Sequence, residues 1–458
     1  MKKITVIACS ILMAVTASAQ SSERKSITLT EAEQKLVEQN NDFAFRLFRQ
    51  ARGEESSIMS PLSITYALGM MNNGAAGQTQ QEICDVLGFG QAGADGINAF
   101  CRKMLTEAPT LDEETTAEIA NTIYVNSATG YDLQQGFKDK ARDYYDATPE
   151  ALDFYDDTTI DIINRWGNDH THGMIPKVLD KNTFNSDAAS YLLNAIYFKG
   201  VWSRKFDKEL TREENFGSTG STEPMMRQWS VFDYTENDLY QAVRLPYGNE
   251  AYLMTLFLPR EGKTIGDVLA TMDGSNWQFN HSGNYHVDLK MPRFKTETSI
   301  NLVKVMSDLG MPTAFTGAAE FPYFGNRDVF IGNMFQKAVI DLDEEGTKAA
   351  AITVIEGTES GMDGEKPVTL HADRPFFYVI SERSTGAIFF IGQFTGQTPT
   401  GIKAIGQSDN FLDQPGAERV QPGNCYDLSG RKLSNGKWSN GQMAKGLYII
   451  DGKKVVVR

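Results

Sequence analysis

Cysteine is scarce in this chain, which has only four in 458 residues. Cys9 lies in an N-terminal apolar stretch, which leaves Cys84, Cys101 and Cys425 in the rest of the sequence. Three cysteines cannot build the dense disulfide framework that stabilises small secreted domains. The sequence allows a bond between Cys84 and Cys101, but two buried free thiols are at least as good an interpretation.

Basic clusters and long apolar runs are also missing. Acidic residues outnumber basic ones by 59 to 44, the formal net charge is -15, and no cluster of lysine and arginine offers the positive surface of a nucleic-acid-binding protein. After the N-terminus, no run approaches the roughly 18 to 20 apolar residues that a membrane-spanning helix needs. We therefore predict no nucleic-acid partner and no membrane span.

Residue patterns of common catalytic sites are absent as well. The five histidines show no metal-ligand spacing beyond His170 and His172, and no Gly-x-Ser-x-Gly motif occurs. Gly262-Lys263-Thr264 resembles the end of a phosphate-binding loop, but Phe257 stands where the first glycine would be. We predict that the chain is not an enzyme and has no metal site or cofactor.

The N-terminus has the pattern of a secretory signal peptide over residues 1–19. Lys2-Lys3 precede an apolar stretch at 4–17, and Ala17-Ser18-Ala19 gives the small-x-small pattern of a cleavage site. Most of the apolar stretch follows Cys9, which argues against a lipoprotein anchor there. We expect an exported monomer that is secreted or held at the cell surface, with the periplasm as an alternative.

Helical patterns come first in the chain and strand patterns later. Apolar spacing predicts a helix over 31–49 and another that opens at Pro61, and Thr79 with Glu82 predicts a capping box for a third. Buried-strand patterns follow at 191–198, 251–259 and 286–294. This order predicts an α+β fold rather than a regular alternation of strands and helices.

The most unusual stretch follows Asp343. Its alternate residues carry no charge and are mostly small, as a buried strand requires, whereas Lys348 and Glu356 fall on the opposite face. Residues 357–366 have the glycines and acidic residues of an exposed loop, and 29 positions separate Gly346 from Pro375, against about 4 to 6 for most connections. We infer a functional loop whose first half can become a strand; the alternative is a merely flexible surface loop.

Several motifs between residues 30 and 397 occur in the order of one known family. They are Ser60-Pro61-Leu62-Ser63, Gly74-Ala75-Ala76-Gly77, Ile163-Asn164-Arg165-Trp166, Asn194-Ala195-Ile196-Tyr197-Phe198, Gly200-Val201-Trp202, Pro292-Arg293-Phe294, Glu344-Glu345-Gly346-Thr347, Arg374-Pro375-Phe376-Phe377 and Phe390-Ile391-Gly392. The ordered series resembles the serpins, the serine protease inhibitor superfamily. The resemblance implies an α+β serpin fold with N-terminal helices, three β-sheets and an exposed reactive-centre loop.

The resemblance also implies a mechanism in which a metastable fold offers its loop as protease bait. A target protease forms an acyl-enzyme, and the cleaved loop then inserts into the central sheet and traps it; serpin insertion is a standard example of strand addition. The matching loop hinge consists of Glu344, Glu345, Gly346, Thr347, Lys348, Ala349, Ala350 and Ala351. Keeping this pattern favours inhibition over the alternative, a non-inhibitory serpin-fold binding or cell-surface protein whose loop is cleaved without trapping.

Five further positions match residues that control the conformation of the central sheet: Ser60, Asn194, Trp202, Arg293 and Gln336. Trp202 and Arg293 match the top of the sheet, where an Arg293–Glu344 ion pair would hold the entry closed. The competing interpretation is a core tryptophan and a surface ion pair of little energetic value. Gln336 replaces the histidine common in the family, so we expect no pH dependence from that site.

Family spacing from Gly346 places the attacked bond between Ser360 and Gly361. Because the loop is longer than usual, the bond between Met362 and Asp363, or cleavage after Ile355 or Thr358, stays open. The loop has no arginine, and Lys366 precedes Pro367, which makes a poor bond for trypsin-like enzymes. We expect serine or cysteine proteases as targets, with elastase-like, subtilisin-like or papain-like enzymes favoured over trypsin-like ones.

The composition changes after Gln397. Residues 398–423 are rich in proline, glycine, aspartate and glutamine, which predicts a linker, and 424–458 has short strand patterns with Asp451-Gly452 as a hairpin turn. This small all-β tail resembles the C-terminal sorting modules of exported Bacteroidetes proteins; an unrelated β add-on is the alternative. The predicted organisation is a signal peptide (1–19), a serpin domain (30–397), a linker (398–423) and a sorting-like module (424–458).

Overall fold

The computed structural model describes residues 24–182, 184–217, 221–279, 284–332, 334–347 and 367–396, together with the backbone of a few short strands after residue 403. By its contacts the chain divides into two units, Met1–Gly406 and Gln407–Arg458. The predicted signal peptide and most of the predicted linker lie outside the described residues.

Helices dominate the first part of the larger unit, as the sequence predicts. Those in the described residues are α1 (Glu31–Ala51), α2 (Pro61–Asn72), α3 (Gly77–Leu87), α4 (Gly93–Glu107), α5 (Gln135–Tyr145), α6 (Thr159–His170), α7 (Ile265–Leu269) and α8 (Val303–Leu309). Thr30 caps the start of α1: its hydroxyl accepts from the Glu33 N–H, and the Glu33 carboxylate accepts from the Thr30 N–H. The bounds of α1 agree with the predicted helix to within two residues.

The predicted capping box at Thr79 is wrong, because α3 begins two residues earlier, at Gly77. The Glu320 carboxylate accepts from the Gln78 N–H at 2.8 Å and so supplies the cap from a distant segment. The Thr79 hydroxyl, inside the helix, accepts from the Glu320 N–H at 2.9 Å. Thr79 therefore attaches the helix to a neighbouring loop instead of starting it.

A nine-stranded sheet forms the larger part of the strand structure. In order across the sheet, its strands are β1 (Ser57–Met59), β15 (Ile388–Phe394), β14 (Phe376–Glu382), β8 (Tyr252–Pro259), β7 (Tyr240–Tyr247), β6 (Ser221–Glu236), β9 (Asn284–Pro292) and β13 (Val368–His371), with β5 (Arg212–Phe216) also paired to β6. Residues 225–233 of β6 pair with β9, and 233–236 pair with β7. Two of the three sheets implied by the resemblance are thus joined by this one long strand.

A seven-stranded sheet carries the start of the predicted loop. Its order is β16 (Ala404–Ile405), β10 (Phe294–Asn301), β11 (Phe335–Asp343), β12 (Gly346–Thr347), β4 (Ser190–Val201), β2 (Thr116–Asn126) and β3 (Thr148–Leu152). The two-residue strand β12 is antiparallel to β11 on one side and to β4 on the other. β11 and β4 therefore run in the same direction, and within the described residues β12 joins them.

The hydrophobic core lies between the two sheets and the N-terminal helices. β8, β14 and β15 are buried at every residue, and the buried strand predicted at 251–259 is β8. α2 packs against both β15 and β4, so it connects the nine-stranded sheet to the seven-stranded one. Ser60 caps the start of this helix, which places the helix N-terminus next to the central strands.

The described part of the smaller unit consists of short strands. β17 (Cys425–Tyr426), β20 (Gly446–Ile450) and β21 (Lys453–Val457) form one sheet, and β18 (Trp438–Ser439) pairs with β19 (Gln442–Met443). β20 and β21 are antiparallel with Ile450 opposite Lys453, the register that a turn at Asp451-Gly452 requires. Those two turn residues lie outside the described part of the chain.

Both cysteines of the larger unit's core are free thiols. Cys84 and Cys101 are buried, and burial raises the pKa of each thiol above its usual value. The disulfide that the sequence allows is therefore not formed. Within the described residues, no helix is long and apolar enough to cross a bilayer, and no group of three or more candidate metal ligands occurs.

Candidate loop-insertion site

The loop begins in a tight turn that Asp343 closes. The Asp343 carboxylate accepts from the backbone N–H of Glu345 at 2.9 Å and of Gly346 at 3.2 Å. Burial raises the pKa of this carboxyl above its usual value, and the two backbone hydrogen bonds partly oppose that effect. The turn reverses the chain at the end of β11 and directs it into β12.

Gly346 fits its position because it has no side chain. Its φ is +147°, and a Cβ atom there would lie 2.1 Å from the carbonyl oxygen of Gly200. The neighbouring strand β4 supplies a second glycine for the same reason: a Cβ atom on Gly200 would lie 2.5 Å from the ring of Tyr247. This pair of glycines lets the start of the loop lie against β4 with an aromatic ring directly behind it.

Thr347 is the first loop residue whose side chain enters the protein. It is only 3% exposed, and its hydroxyl lies 2.8 Å from the hydroxyl of Tyr247. The Tyr247 ring stacks on Trp202, with ring centroids 4.4 Å apart and planes inclined by 11°. The Trp202 indole N–H donates to the carbonyl oxygen of Asp343 at 3.0 Å. The predicted control residue Trp202 thus contacts both the turn and the Tyr247 ring, which lies beside Thr347.

The Glu344 carboxylate is 2% exposed and has two neighbours. The Thr211 hydroxyl donates to it at 2.7 Å, and the Arg293 guanidinium, itself half exposed, lies 3.5 Å away. The predicted contact between Arg293 and Glu344 is therefore present, but Thr211 makes the shorter one. The Glu344 carbonyl oxygen also accepts from the Phe206 N–H at 2.9 Å, which fixes the turn to the segment after β4.

Glu345 lies between two lysines that the sequence analysis did not select. Its carboxylate oxygens are 2.7 Å from the Lys205 ammonium and 2.9 Å from the Lys208 ammonium. Hydrogen bonds from Lys205 and then Lys208 hold the pKa of the Glu345 carboxyl below its usual range. The backbone N–H of Trp202 donates to the Glu345 carbonyl oxygen at 2.9 Å. Side-chain and backbone contacts therefore attach Glu345 to the same segment.

The other predicted control residues meet at the N-terminus of α2. The Gln336 amide accepts from the Ser60 N–H at 3.1 Å and donates to the Ser60 carbonyl oxygen at 2.7 Å, so β11 is hydrogen-bonded to the start of the helix. The Ser63 hydroxyl donates to Asn194, and Asn194 donates to Asn121 at 2.7 Å. A single helix start thus contacts both strands that flank β12.

The contacts around the turn at Asp343 and the contacts at the N-terminus of α2 involve the same two strands, β4 and β11, but at different positions along their length. Seven residues separate Asn194 from Val201 on β4 and Gln336 from Asp343 on β11, which corresponds to about 23 Å at the rise of a strand. Because β12 is antiparallel to both strands, its direction leads from the turn at Asp343 toward Ser60. The geometry therefore defines a line between β4 and β11 along which an added strand would extend.

The remaining predicted loop residues lie outside the described part of the chain. They are the hinge residues Lys348, Ala349, Ala350 and Ala351 and the candidate cleavage positions Ile355, Thr358, Ser360, Gly361, Met362 and Asp363. The chain is described again from Pro367, immediately before β13. The contacts above therefore concern the start of the loop, and the cleavage position stays a prediction.

Sequence reasoning missed Lys205, Lys208, Thr211 and Tyr247. The first three follow Trp202 closely in the sequence, and the two lysines are three residues apart. Nothing in that spacing identifies Glu344 and Glu345, more than a hundred positions later, as their partners. Tyr247 ends a strand and precedes Gly248-Asn249, a pattern that predicts a turn and no contact with the loop. Only the pairing of β12 with β4 brings these residues to the hinge.

Comparison with known proteins gives a consistent result. The family profile described as Serpin (serine protease inhibitor) matches residues 38–396. Serpin B3 of Homo sapiens is 31% identical over 388 residues, covering 79% of this chain and 99% of that protein. Neuroserpin of Gallus gallus is 30% identical, covering 76% of this chain and 88% of that protein.

Solved structures agree with these sequence matches. The native state of the thermophilic serpin tengpin aligns with a TM-score of 0.72 and 27% identity, covering 81% of this chain and 96% of that one. Human thyroxine-binding globulin in complex with thyroxine aligns with a TM-score of 0.71 and 25% identity, covering 79% of this chain and 98% of that one. The profile spans most of the sequence, and the fold has the expected helices and sheets. This chain therefore belongs to the serpin family.

Proposed function

We propose that this chain is an irreversible inhibitor of proteases, which traps the acyl-enzyme by inserting its cleaved loop between β4 and β11. The observation that carries the proposal is β12, because two residues at the start of the loop already pair with both flanking strands in the uncleaved chain. Serpins in general inhibit proteases, and nothing in the family or the described site points to catalysis by the chain itself. The protease supplies the chemistry.

The inserted strand can supply enough energy to disable a bound enzyme. About 12 residues at a net ~1 kcal/mol per hydrogen bond, with burial of their uncharged face, give on the order of ten kcal/mol before ordering costs. A displacement of about 1 Å in a catalytic site can lower its rate a hundredfold. Trapping therefore needs only a modest distortion of the protease, provided that insertion is faster than hydrolysis of the acyl-enzyme.

Composition of the loop supports a target class. The loop lacks arginine, and its last lysine precedes proline, so elastase-like and subtilisin-like serine proteases and papain-like cysteine proteases fit better than trypsin-like ones. The acidic residues at 359, 363 and 365 would favour proteases with basic surroundings at the active site. The N-terminal sequence pattern supports export, which would bring the inhibitor to extracellular or periplasmic proteases.

The test is to mix the chain without its predicted signal peptide with elastase, subtilisin, papain and trypsin. We expect a complex that survives denaturant with at least one of the first three, and a released C-terminal peptide that starts at Gly361 or at Asp363. Cleavage of the loop while all four enzymes keep full activity would contradict trapping of these proteases. That result would favour a binding protein, a function for which thyroxine-binding globulin provides a precedent on the same fold.

A further inference from the structure

The hydroxyl pair between Tyr247 and Thr347 is buried on all sides. Tyr247 is 0% exposed and Thr347 is 3% exposed, and their oxygens are 2.8 Å apart. Within the described residues, Thr347 is the hydrogen-bond partner of the Tyr247 hydroxyl. Burial raises the pKa of Tyr247 far above its usual value, and the hydrogen bond to Thr347 partly offsets this effect. The phenol is therefore neutral and acts only as a hydrogen-bonding group.

The ring of Tyr247 is held in place from three sides. Trp202 stacks on one face, and the ring of Phe198 meets it edge-on with centroids 5.2 Å apart. Gly200 lies so close that a Cβ atom there would be 2.5 Å from the ring. The strand end is also fixed, because the Gly248 N–H donates to the Val201 carbonyl oxygen at 2.8 Å. The Tyr247 ring is therefore held by residues outside the loop, and its hydroxyl has a fixed position.

We propose that Tyr247 is a positioning residue for loop insertion, whose hydroxyl selects a hydrogen-bonding side chain at position 347 and fixes the first inserted residue in register between β4 and β11. This inference rests on the proposed function and adds a specificity determinant to it. A one-residue slip would turn the side chain of Thr347 to the opposite face of the sheet. It would place Gly346 or Lys348 over the ring. Glycine has no side chain that could bond the phenol, and lysine would bring a charge into a buried site. The pair therefore sets the register from which the strand grows.

The experiment compares four variants of the full chain with the wild type: Thr347→Val, Thr347→Ser, Tyr247→Phe and the double variant with Tyr247→Phe and Thr347→Val. Two readouts are measured, the amide hydrogen exchange of residues 346–347 before cleavage, and the number of inhibitor molecules consumed per trapped protease. We expect Thr347→Val to raise both by about three- to tenfold, because it leaves a buried hydroxyl unpaired. Thr347→Ser should stay within about twofold of the wild type.

Coupling between the two residues separates positioning from ordinary packing. In the Tyr247→Phe background, the Thr347→Val substitution should add little, because the phenol that it would leave unpaired is already gone. The matched control is Tyr252→Phe, on the neighbouring strand directly opposite Tyr247, which removes a buried hydroxyl that donates to the carbonyl oxygen of Ala108 at 2.7 Å. This control should lower the stability of the fold without changing exchange at 346–347.

Each outcome supports or contradicts a role of the Tyr247–Thr347 hydroxyl pair in loop insertion. Effects of the two single variants that multiply in the double variant, or a Thr347→Ser variant as impaired as Thr347→Val, would overturn the role of the hydroxyl pair. If the wild type traps none of the proteases, the proposed function fails, but hydrogen exchange in the uncleaved chain still tests the pair. Coupled exchange effects together with an unchanged consumption ratio would show that the pair holds the hinge but does not guide insertion, which would also overturn the proposal.

Discussion

Gly346 shows how far a single residue constrains the loop. Its positive φ and the carbonyl oxygen of Gly200, 2.1 Å from where a Cβ would lie, leave no room for a side chain. Gly346→Ala must either strain the backbone or separate β12 from β4. We expect exchange of residues 346–347 to become about tenfold faster, and more inhibitor molecules to be consumed per trapped protease.

Gly136→Ala is the matched control for that substitution. Gly136 lies in α5, and a Cβ atom there would have no neighbour within 4 Å. Alanine should therefore be neutral or stabilise the helix by up to about 1 kcal/mol, without any effect on the hinge. If Gly346→Ala and Gly136→Ala behave alike, the close approach of β12 to β4 does not matter for the loop.

Glu345 gives the hinge a defined dependence on pH. Its folded pKa lies below the ordinary value of 4.5, because Lys205 and Lys208 hold the charged form. The ion pairs thus contribute fully above the unfolded pKa, and their contribution is lost as the pH falls through the folded pKa. We expect protection of residues 346–347 to decrease by about two- to fivefold between pH 6 and pH 3.5 in the wild type, relative to Glu345→Gln.

The comparison with Glu345→Gln is needed because Asp343 gives the stability of the turn a pH dependence of the opposite sign. Its raised pKa makes the turn lose stability as the pH rises through the acid range, so the total pH profile mixes both groups. Lys304→Gln removes the exposed Lys304–Asp308 pair in α8 and serves as a control for unrelated surface charge. Identical profiles of the wild type and Glu345→Gln would contradict a stabilising role for the two lysines.

At the scale of elements, the contact between α2 and β11 depends on an amide where the family commonly has histidine. Gln336 both accepts from and donates to the backbone of Ser60, and it cannot titrate. In Gln336→His, a protonated ring could no longer accept the Ser60 N–H, so the folded pKa of the new histidine should lie below its usual ~6.5. The stability contributed by the neutral ring would then be lost as the pH falls below that value.

Urea unfolding at pH 7.5 and pH 5.5 checks this expectation. The wild type should show no change attributable to this site, whereas Gln336→His should lose about 1 kcal/mol at the lower pH. A variant as stable at pH 5.5 as at pH 7.5 would show that the ring does not take over the acceptor role of the amide. The result also tests whether the junction of α2 with β11 stabilises the uncleaved sheet.

The elements that could be predicted from the sequence are those with local signals. Apolar spacing located α1, and the apolar run at 191–198 located the centre of β4. The predicted strand at 286–294 joins most of β9 to the first residue of β10, because only Arg293 separates the two strands in the sequence. Thr79 failed as a cap because Glu320, far away in the chain, provides the cap instead.

At the scale of the whole molecule, the candidate site is assembled from distant segments. The resemblance to serpins selected Trp202, Arg293 and Glu344, and the structure places them together at the start of the loop. Lys205, Thr211 and Tyr247 could not be found in the same way, since their partners are about 100 or more positions away in the chain. Long-range pairing of β12 with β4 creates these contacts, and no local pattern encodes it.

Insertion should also change the stability of the entire larger unit. A net gain of about 5 kcal/mol from the added strand, after the cost of ordering the loop, corresponds to a rise in melting temperature of about 10 °C for a domain of this size. The gain requires a free loop end, so it should appear only after cleavage. The cut and the uncut protein must be compared at one heating rate, because unfolding of a domain of this size can be irreversible.

The decisive measurement is therefore the melting temperature of the wild-type chain before and after its loop is cut between residues 355 and 363. Insertion between β4 and β11 predicts a rise of about 10 °C, together with new protection from hydrogen exchange along both strands. The same cut in Thr347→Arg, which would force a charge into the buried site beside Tyr247, should give a much smaller rise. An unchanged melting temperature of the cut wild-type chain would contradict insertion as the source of its function.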